Sequence, residues 1–576
     1  MSRVSEFCLQ GPSIMRRILS RWLLAATVAG FAPVLAQPTA PHATPASAYI
    51  VQSHGTQSAV RIVRGVGGRI THDLPIIHGV SAMLTPAQAA RLRQLGTVDL
   101  FADAAVTTQD RSGSRRSSTY SSSTSSRSSS SSSSSDGSTV PNQDARAEIG
   151  ADRLAAQGFD GTGVAVAVLD SGLPRSWVQY AQNSNMGLIA YSADGSSFQD
   201  ASGHGSHVTT IVANPIRSVN GQPLGIAPGV RLVSVKAFDA NGASTYATVL
   251  NGLNWILNNR ATYNIRVLNL SFAAKPQSFY WNDPIDQAVM KLWQAGVVVV
   301  ASAGNGGPTA QTIGVPGNTP YIITVGAMTD NYAPSNPRSW RLTSFSSAGP
   351  TFEGFVKPDI LAPGGHIIGI MDPYTALLAQ LHPTFALPVD NLYLMSGTSQ
   401  AAAVVSASVA LMLQSNLALT PDVVKCRLMA SAHPAVNSAN QLAYSVFQQG
   451  AGEINVYDAV YSQSTGCANA GLNIASDLAG TAHFGGPARQ AADGSYYVVD
   501  QNGSPIDQQG YLWNNGYLWN SGYLWNSGYL WDNGYLWNSG YLWDNGYLWN
   551  NGYLWSESAT ASPTNTAAIN MWVDQE

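Results

Sequence analysis

Residues 164–172 read Val-Ala-Val-Ala-Val-Leu-Asp-Ser-Gly. An unbroken apolar run of this length has no face to give to water, so it reads as a strand buried on both sides that stops at Asp170. Outward from it, similar runs recur at 231–238, 267–272, 297–301 and 321–325. They alternate with helix-length segments at 245–259 and 284–295. Strands hidden on both faces and separated by helices predict an α/β fold, a mainly parallel sheet flanked by helices. Ligands of such sheets sit at the carboxyl ends of the strands.

The chain has 576 residues, 45% of them hydrophobic and only 11% charged. An average soluble domain is roughly 25% charged. So few Lys and Arg argue against nucleic acid as a partner, because phosphate contacts supply most of that affinity. The net charge of −4 hides an asymmetry: residues 1–143 hold 13 Lys and Arg against 6 Asp and Glu, and residues 144–576 hold 16 against 27. The acidic remainder fits a secreted soluble protein.

Arg16, Arg17 and Arg21 precede an apolar run over 22–36 that ends in Val34-Leu35-Ala36. A basic start, a short apolar stretch and small closing residues make residues 1–36 a secretory signal, with Met15 an alternative start. The run is too short to span a bilayer, and no membrane span is expected after the signal is removed. The Arg pair leaves the export route open.

Residues 37–48 are a Pro- and Ala-rich spacer. Residues 49–106 read as a small α+β unit, with strands at 49–51 and 76–84 and a helix opened by Thr85 as cap and Pro86 in its first turn. Residues 107–143 are dominated by Ser, unbroken from Ser128 to Ser135, and predict a disordered linker with nothing to bury. The α/β zone covers 144–470, and 471–509 reads as a linker region. Tyr-Leu-Trp then occurs eight times between residues 511 and 555. These hexapeptide repeats over 510–555 leave three alternatives open: a stacked solenoid, a surface for a glycan or cell-surface partner, and a sticky tail. Residues 556–576 are a polar tail.

Cys8 lies ahead of the apolar run of the signal, which leaves Cys426 and Cys467. Export implies an oxidising compartment, where they would close one disulfide worth about 4 kcal/mol. Two buried thiols are the alternative.

Polar residues stand where strands and helices end. Asp170 closes the opening run. His204 lies between two glycines in Gly203-His-Gly-Ser-His-Val208. With no HExxH pattern or Cys partner nearby, a general base is the better use of it, with His207 a structural neighbour. Ser399 in Gly397-Thr-Ser-Gln-Ala401 opens a small-residue helix, where the helix dipole favours developing negative charge. Asn305 follows the 297–301 run in a Gly-rich loop and can offer an amide hydrogen to an oxyanion. Separately these are an ordinary turn Asp, core His, helix cap and turn Asn.

Together, the chain order Asp…His…Ser resembles the subtilisin-like serine proteases over about residues 144–460. Val-Ala-Val-Leu-Asp170-Ser-Gly, His204-Gly-Ser-His-Val and Gly-Thr-Ser399-Gln-Ala carry the resemblance, with Gly225-Ile-Ala-Pro-Gly-Val and Ala303-Gly-Asn305 beside them. It implies a triad of Asp170, His204 and Ser399, Asn305 in the oxyanion hole, and no metal or cofactor for catalysis. Structural calcium occurs in relatives, but no ligand cluster in this sequence assigns it. The resemblance also implies protein or peptide substrates laid against Ser271, Phe272 and Ala273. Ala273 and Ala274 replace glycines there and are expected to narrow the cleft or tilt the peptide. Gly306 stands where some relatives carry an acid, so no preference for basic residues follows. Residues 49–106 correspond to an inhibitory propeptide. The expected protein is therefore a secreted serine endopeptidase made as a zymogen. The alternative is a surface-binding, adhesive repeat protein whose peptidase domain serves processing.

Overall fold

The computed structural model describes residues 45–106, 139–174, 177, 187–389, 391–437, 442–499, 503–506, 547–548 and 573. The signal sequence, most of the Ser-rich segment and all of the repeats but Tyr547–Leu548 lie outside the described residues.

Residues 47–102 fold as a small antiparallel sheet under helices. Strands β1 (Ser47–Gln52), β2 (Arg69–Leu74), β3 (Gly79–Leu84) and β4 (Asp99–Ala102) lie in the order β2-β3-β1-β4. Helices α1 (Thr56–Gly65) and α2 (Pro86–Leu95) pack on this sheet. Alternate residues of the strands face alternate sides. Val51 of β1 and Val80, Ala82 and Leu84 of β3 meet Val60, Val63 and Leu92 of the helices, whereas Ile50 faces the larger unit. Thr85 and Gln88 close α2 with a reciprocal capping box. The strand expected over 76–84 begins only at Gly79. Pro75 has no N–H for a ladder and opens a short 3-10 turn, Pro75–Ile77, after which His78 turns left-handed at φ 57°. A two-residue strand, β5 (Ala105–Val106), leaves this unit.

The larger unit is built on β6 (Ala165–Asp170), β7 (Leu188–Ser192), α3 (His204–Val212), β8 (Arg231–Lys236), β9 (Ser244–Thr245), α4 (Tyr246–Tyr263), β10 (Ile265–Leu270), α5 (Pro284–Gln294), β11 (Val298–Ser302), β12 (Ile323–Thr329), β13 (Arg341–Leu342), β14 (Ile360–Pro363), β15 (Ile367–Ile370), β16 (Leu392–Met395), α6 (Thr398–Ser415) and α7 (Pro421–Ala430). Its eight-stranded sheet runs β13-β12-β11-β10-β6-β8-β7, with β14 also on β12. All neighbours are parallel except β12 and β13. Every residue of β6, β11 and β12 is buried, as continuous apolar runs require. Helices α4 and α5 pack together on β6, β10 and β11, and α3 and α6 pack together on the opposite face. The small unit docks on α4 and α5. Ile76 and Ile77 are buried there, Ile76 N–H donates to Asn254 Oδ1, and Gln52 Nε2 donates to Gln287 Oε1 at 2.7 Å.

Two expected linkers are partly folded. At the end of the Ser-rich segment, Gln143 is buried and bonds both the carbonyl and the N–H of Ile368. In the expected linker 471–509, helix α8 (Ile474–Ala479) and a hairpin of Ala488–Gln490 with Tyr496–Val499 dock on the larger unit. The cause is a polar anchor. Asp477 is buried and accepts hydrogen bonds from Tyr280 Oη at 3.0 Å and Tyr321 Oη at 2.5 Å, and it meets His483 Nδ1 at 3.0 Å. Tyr321 thus turns away from the strand predicted for it, and β12 starts at Ile323. Cys426 of α7 and Cys467 are joined as a disulfide, with Cα atoms 5.1 Å apart. Tyr547–Leu548 pairs antiparallel with Phe484–Gly485. Among the described residues, no helix is long and apolar enough to cross a membrane.

Removing the Asp477 carboxylate takes the shared acceptor from two buried tyrosine hydroxyls, of which Tyr280 keeps only longer contacts to Phe484. Asp477→Ala is expected to destabilise the folded protein by about 3 kcal/mol or more, measured as a lower denaturation midpoint in urea. An unchanged midpoint would show that residues 474–499 add nothing to the core.

Candidate active site

Asp170 is the last residue of β6 and His204 the first of α3. Both are buried, and Asp170 Oδ1 lies 2.8 Å from His204 Nδ1 while also accepting Ser171 N–H at 2.7 Å. An acceptor carboxylate at Nδ1 fixes the tautomer and leaves Nε2 as the basic nitrogen. The glycines around His204 make this approach sterically feasible. A Cβ at Gly205 would stand 2.7 Å from Gly172 O, and one at Gly203 (φ 100°) would press on Ala376 at 2.9 Å.

Sequence reasoning missed the residue that holds this turn. Asp200 is buried, and its Oδ1 accepts Ser202 N–H at 2.9 Å and Gly203 N–H at 2.8 Å. Its Oδ2 accepts Ser206 N–H at 2.7 Å and Ser206 Oγ at 2.6 Å. The signal was present: an acid shortly before a Ser-Gly-His turn is a natural helix-entry brace.

The nearby histidines differ electrically. Burial alone would lower His204, but the charge and hydrogen bond of Asp170, with Asp200 behind, hold it above its ordinary value. Burial, with the His204 charge adding, drives His207 down to about 3. The His207 ring packs on Gly369, and its Nε2 lies 3.2 Å from Tyr393 O. Among the described residues, no group of three His, Cys, Asp or Glu is placed to hold a metal.

Ser399 lies in the first turn of α6. Its hydroxyl donates to Ser271 O at 3.1 Å, not to His204, and Ser271 Oγ donates back to Ser399 O at 2.9 Å. Asn269 Nδ2 donates to Ser271 Oγ, and Ser406 Oγ donates to Asn269 Oδ1, both at 2.8 Å. This buried chain ties α6 to the end of β10, which runs beside β6 and its Asp170. A lone Asn in an apolar strand and a Ser in an apolar helix were its only sequence signals.

Asn305 follows β11. Its Oδ1 accepts Thr398 N–H at 3.0 Å and Thr398 Oγ1 at 2.9 Å. Two donors on the oxygen fix the amide's orientation, and its Nδ2 stands against Gly397, 3.5 Å from where a Cβ would be. The amide hydrogens therefore face the turn that carries Ser399.

Phe272 is wholly buried against Phe238, ring centroids 5.2 Å apart, and so faces the core. The methyl of Ala273 lies between Gly304 and Gly314, and Ala274 pairs with Val315 through two 2.8 Å bonds. Strand β5 of the small unit pairs antiparallel with β9, whose Ser244 Oγ donates to Ala237 O, and Ala237 N–H donates to Asp170 O. Asp103 Oδ1 there accepts Ala247 N–H at 2.8 Å, at the head of α4.

The model of the subtilase family matches residues 161–452, which include Asp170, His204, Asn305 and Ser399. The chain is 37% identical to serine protease AprX of Bacillus subtilis over 278 residues, 47% of this chain and 61% of that protein. It is 32% identical to subtilisin E of the same organism over 312 residues, 54% of this chain and 69% of the relative. It is 28% identical to a thermostable alkaline protease of Halalkalibacterium halodurans, over 48% of this chain and 64% of the relative. The chain thus spans less than two thirds of AprX.

The two histidines should titrate far apart. By NMR, His204 is expected to gain its proton above its ordinary value, and His207 only near pH 3. Because the unfolded chain protonates His207 near 6.5, this group withdraws stability as pH falls from about 6.5 towards 3. Two coincident titrations at ordinary values would contradict the burial described.

Proposed function

The chain belongs to the subtilase family, and from that membership we propose that it is a secreted serine endopeptidase made as a self-inhibited precursor. The observation that carries this is the buried 2.8 Å contact of Asp170 with His204.

Ser399 attacks the peptide carbonyl. Its hydroxyl turns from the Ser271 carbonyl towards His204 Nε2, which takes the proton and later delivers it to the leaving amine. Asp170 stays ionised, keeps the Nδ1 hydrogen in place and stabilises the cationic ring. The Asn305 amide, aimed by Thr398, and the Ser399 backbone N–H receive the oxyanion. The chemistry needs no metal or cofactor. Substrates are polypeptides, held by the segment 271–273 chiefly through its backbone, since these side chains are buried. Calcium as a structural aid has no ligand set to assign.

Residues 49–106 act as the inhibitor. Their sheet docks on α4 and α5, and β5 pairs with β9, which is linked through Ala237 to Asp170. The maturation cut lies within 107–145, and the signal over 1–36 directs export. The repeats over 510–555 are a separate module for a surface or glycan partner.

Ser399→Ala should abolish casein hydrolysis and leave the full-length precursor uncut on a gel. Asn305→Ala should lower kcat by roughly a hundredfold to a thousandfold with KM little changed. Normal self-processing by purified Ser399→Ala would overturn the assignment.

A further inference from the structure

Past Ala274 the chain leaves the cleft segment and borders a recess of about 130 Å³ that the catalytic chemistry does not use. Lys275 stands on its rim, Pro276, Ile313 and Phe352 on its walls, and Asn318 and Glu353 deeper within. Its walls continue the paired segments of Ala274 and Val315. Ser271, which accepts the Ser399 hydroxyl, is four residues from Lys275, about 13 Å of extended chain.

The deep residues leave acceptors unfilled. Glu353 is 1% exposed; its Oε1 accepts Tyr280 N–H at 2.9 Å, and its Oε2 has no partner. Asn318 is 2% exposed; its Nδ2 donates to Asp286 Oδ2 at 3.1 Å, and its Oδ1 has no partner. Each orphaned acceptor costs about 1–3 kcal/mol. Two more acids stand close by, and burial pushes both towards their neutral form. Asp283 and Asp286 of the α5 entry are buried, and burial, with the Asp283 charge adding, raises the Glu353 carboxyl to about 7. No Lys, Arg or His side chain among the described residues forms an ion pair with these three acids. The Thr351 hydroxyl also faces this carboxyl, and with Glu353 ionised a positively charged donor from outside would complete Oε2.

A bare metal ion fits poorly. Calcium takes six to eight oxygens, carboxylates among them, and the recess offers a single carboxylate, with no three-residue metal group among the described residues. A long basic side chain fits better. Its methylenes lie along Pro276, Ile313 and Phe352, and its charged head reaches the carboxylate.

We propose that this recess is a substrate subsite for one lysine or arginine side chain, with Glu353 and Asn318 as its specificity-determining residues. The proposal rests on the endopeptidase function. Gly306, after Asn305, gave no basic preference; here the acid comes from the loop between β13 and β14. The chain's own sequence supplies such side chains just beyond β5, at Arg111, Arg115 and Arg116.

The test is a set of internally quenched peptides that place Arg, Lys or norleucine at each position on the N-terminal side of the cleaved bond. With mature enzyme, one position is expected to favour Arg or Lys over norleucine roughly ten- to a hundredfold in kcat/KM, the worth of a charge-assisted hydrogen bond. Glu353→Gln, nearly isosteric, should bring that ratio close to one. Equal rates at every position in the wild type, or a ratio that survives Glu353→Gln, overturns the subsite. So does a calcium-dependent rise in wild-type Tm, abolished by Glu353→Gln, without any basic preference. If the variant does not fold, the wild-type series decides alone. Cleavage of the norleucine peptides without basic preference refutes the subsite and leaves the endopeptidase standing.

Discussion

An ionisable pair enclosed in apolar packing is tolerable only if each member answers the other. Asp170 and His204 meet that condition at 2.8 Å, and most of the local backbone serves to keep them there. The Asp comes from a strand with no exposed residue, so it cannot drift. The His comes from a helix whose entry is tied by four hydrogen bonds to Asp200. Placing these groups on rigid elements rather than on free loops is what holds their geometry.

Ser399, the proposed nucleophile, is fixed by a separate set of bonds. Ser406, Asn269 and Ser271 form a buried polar chain that ends at Ser399. A polar chain of this kind is favourable only when fully satisfied, which makes the register of α6 on β10 nearly unique. Thr398, next to the serine, grips the oxygen of Asn305. One helix turn thereby holds both Ser399 and the amide of Asn305, the two groups proposed for attack and for the oxyanion.

Two flanking segments bear on the same frame from outside. The small unit enters through Ile76 and Ile77, which are far from water although they sit in a surface turn. The segment after residue 470 enters through Asp477, and its Gly486 and Ala488 N–H groups hold the carbonyls of Glu353 and Gly354. The recess that contains Glu353 is therefore shaped partly by residues beyond the family match, which ends at 452.

The apolar runs by themselves determined a buried parallel sheet, because period and length are local properties of the chain. The residues proposed for catalysis were legible for a similar reason: each stands just after an apolar run or at the start of a helix, with a glycine within two residues, in a recognisable order. The extent of β3, the docking of 471–499, the brace at Asp200 and the orphaned oxygens of Glu353 and Asn318 were not legible. Each depends on partners distant in sequence, such as Asp477 meeting Tyr280. Whether a polar side chain is satisfied or stranded depends on three-dimensional neighbours, and only the folded chain brings those together.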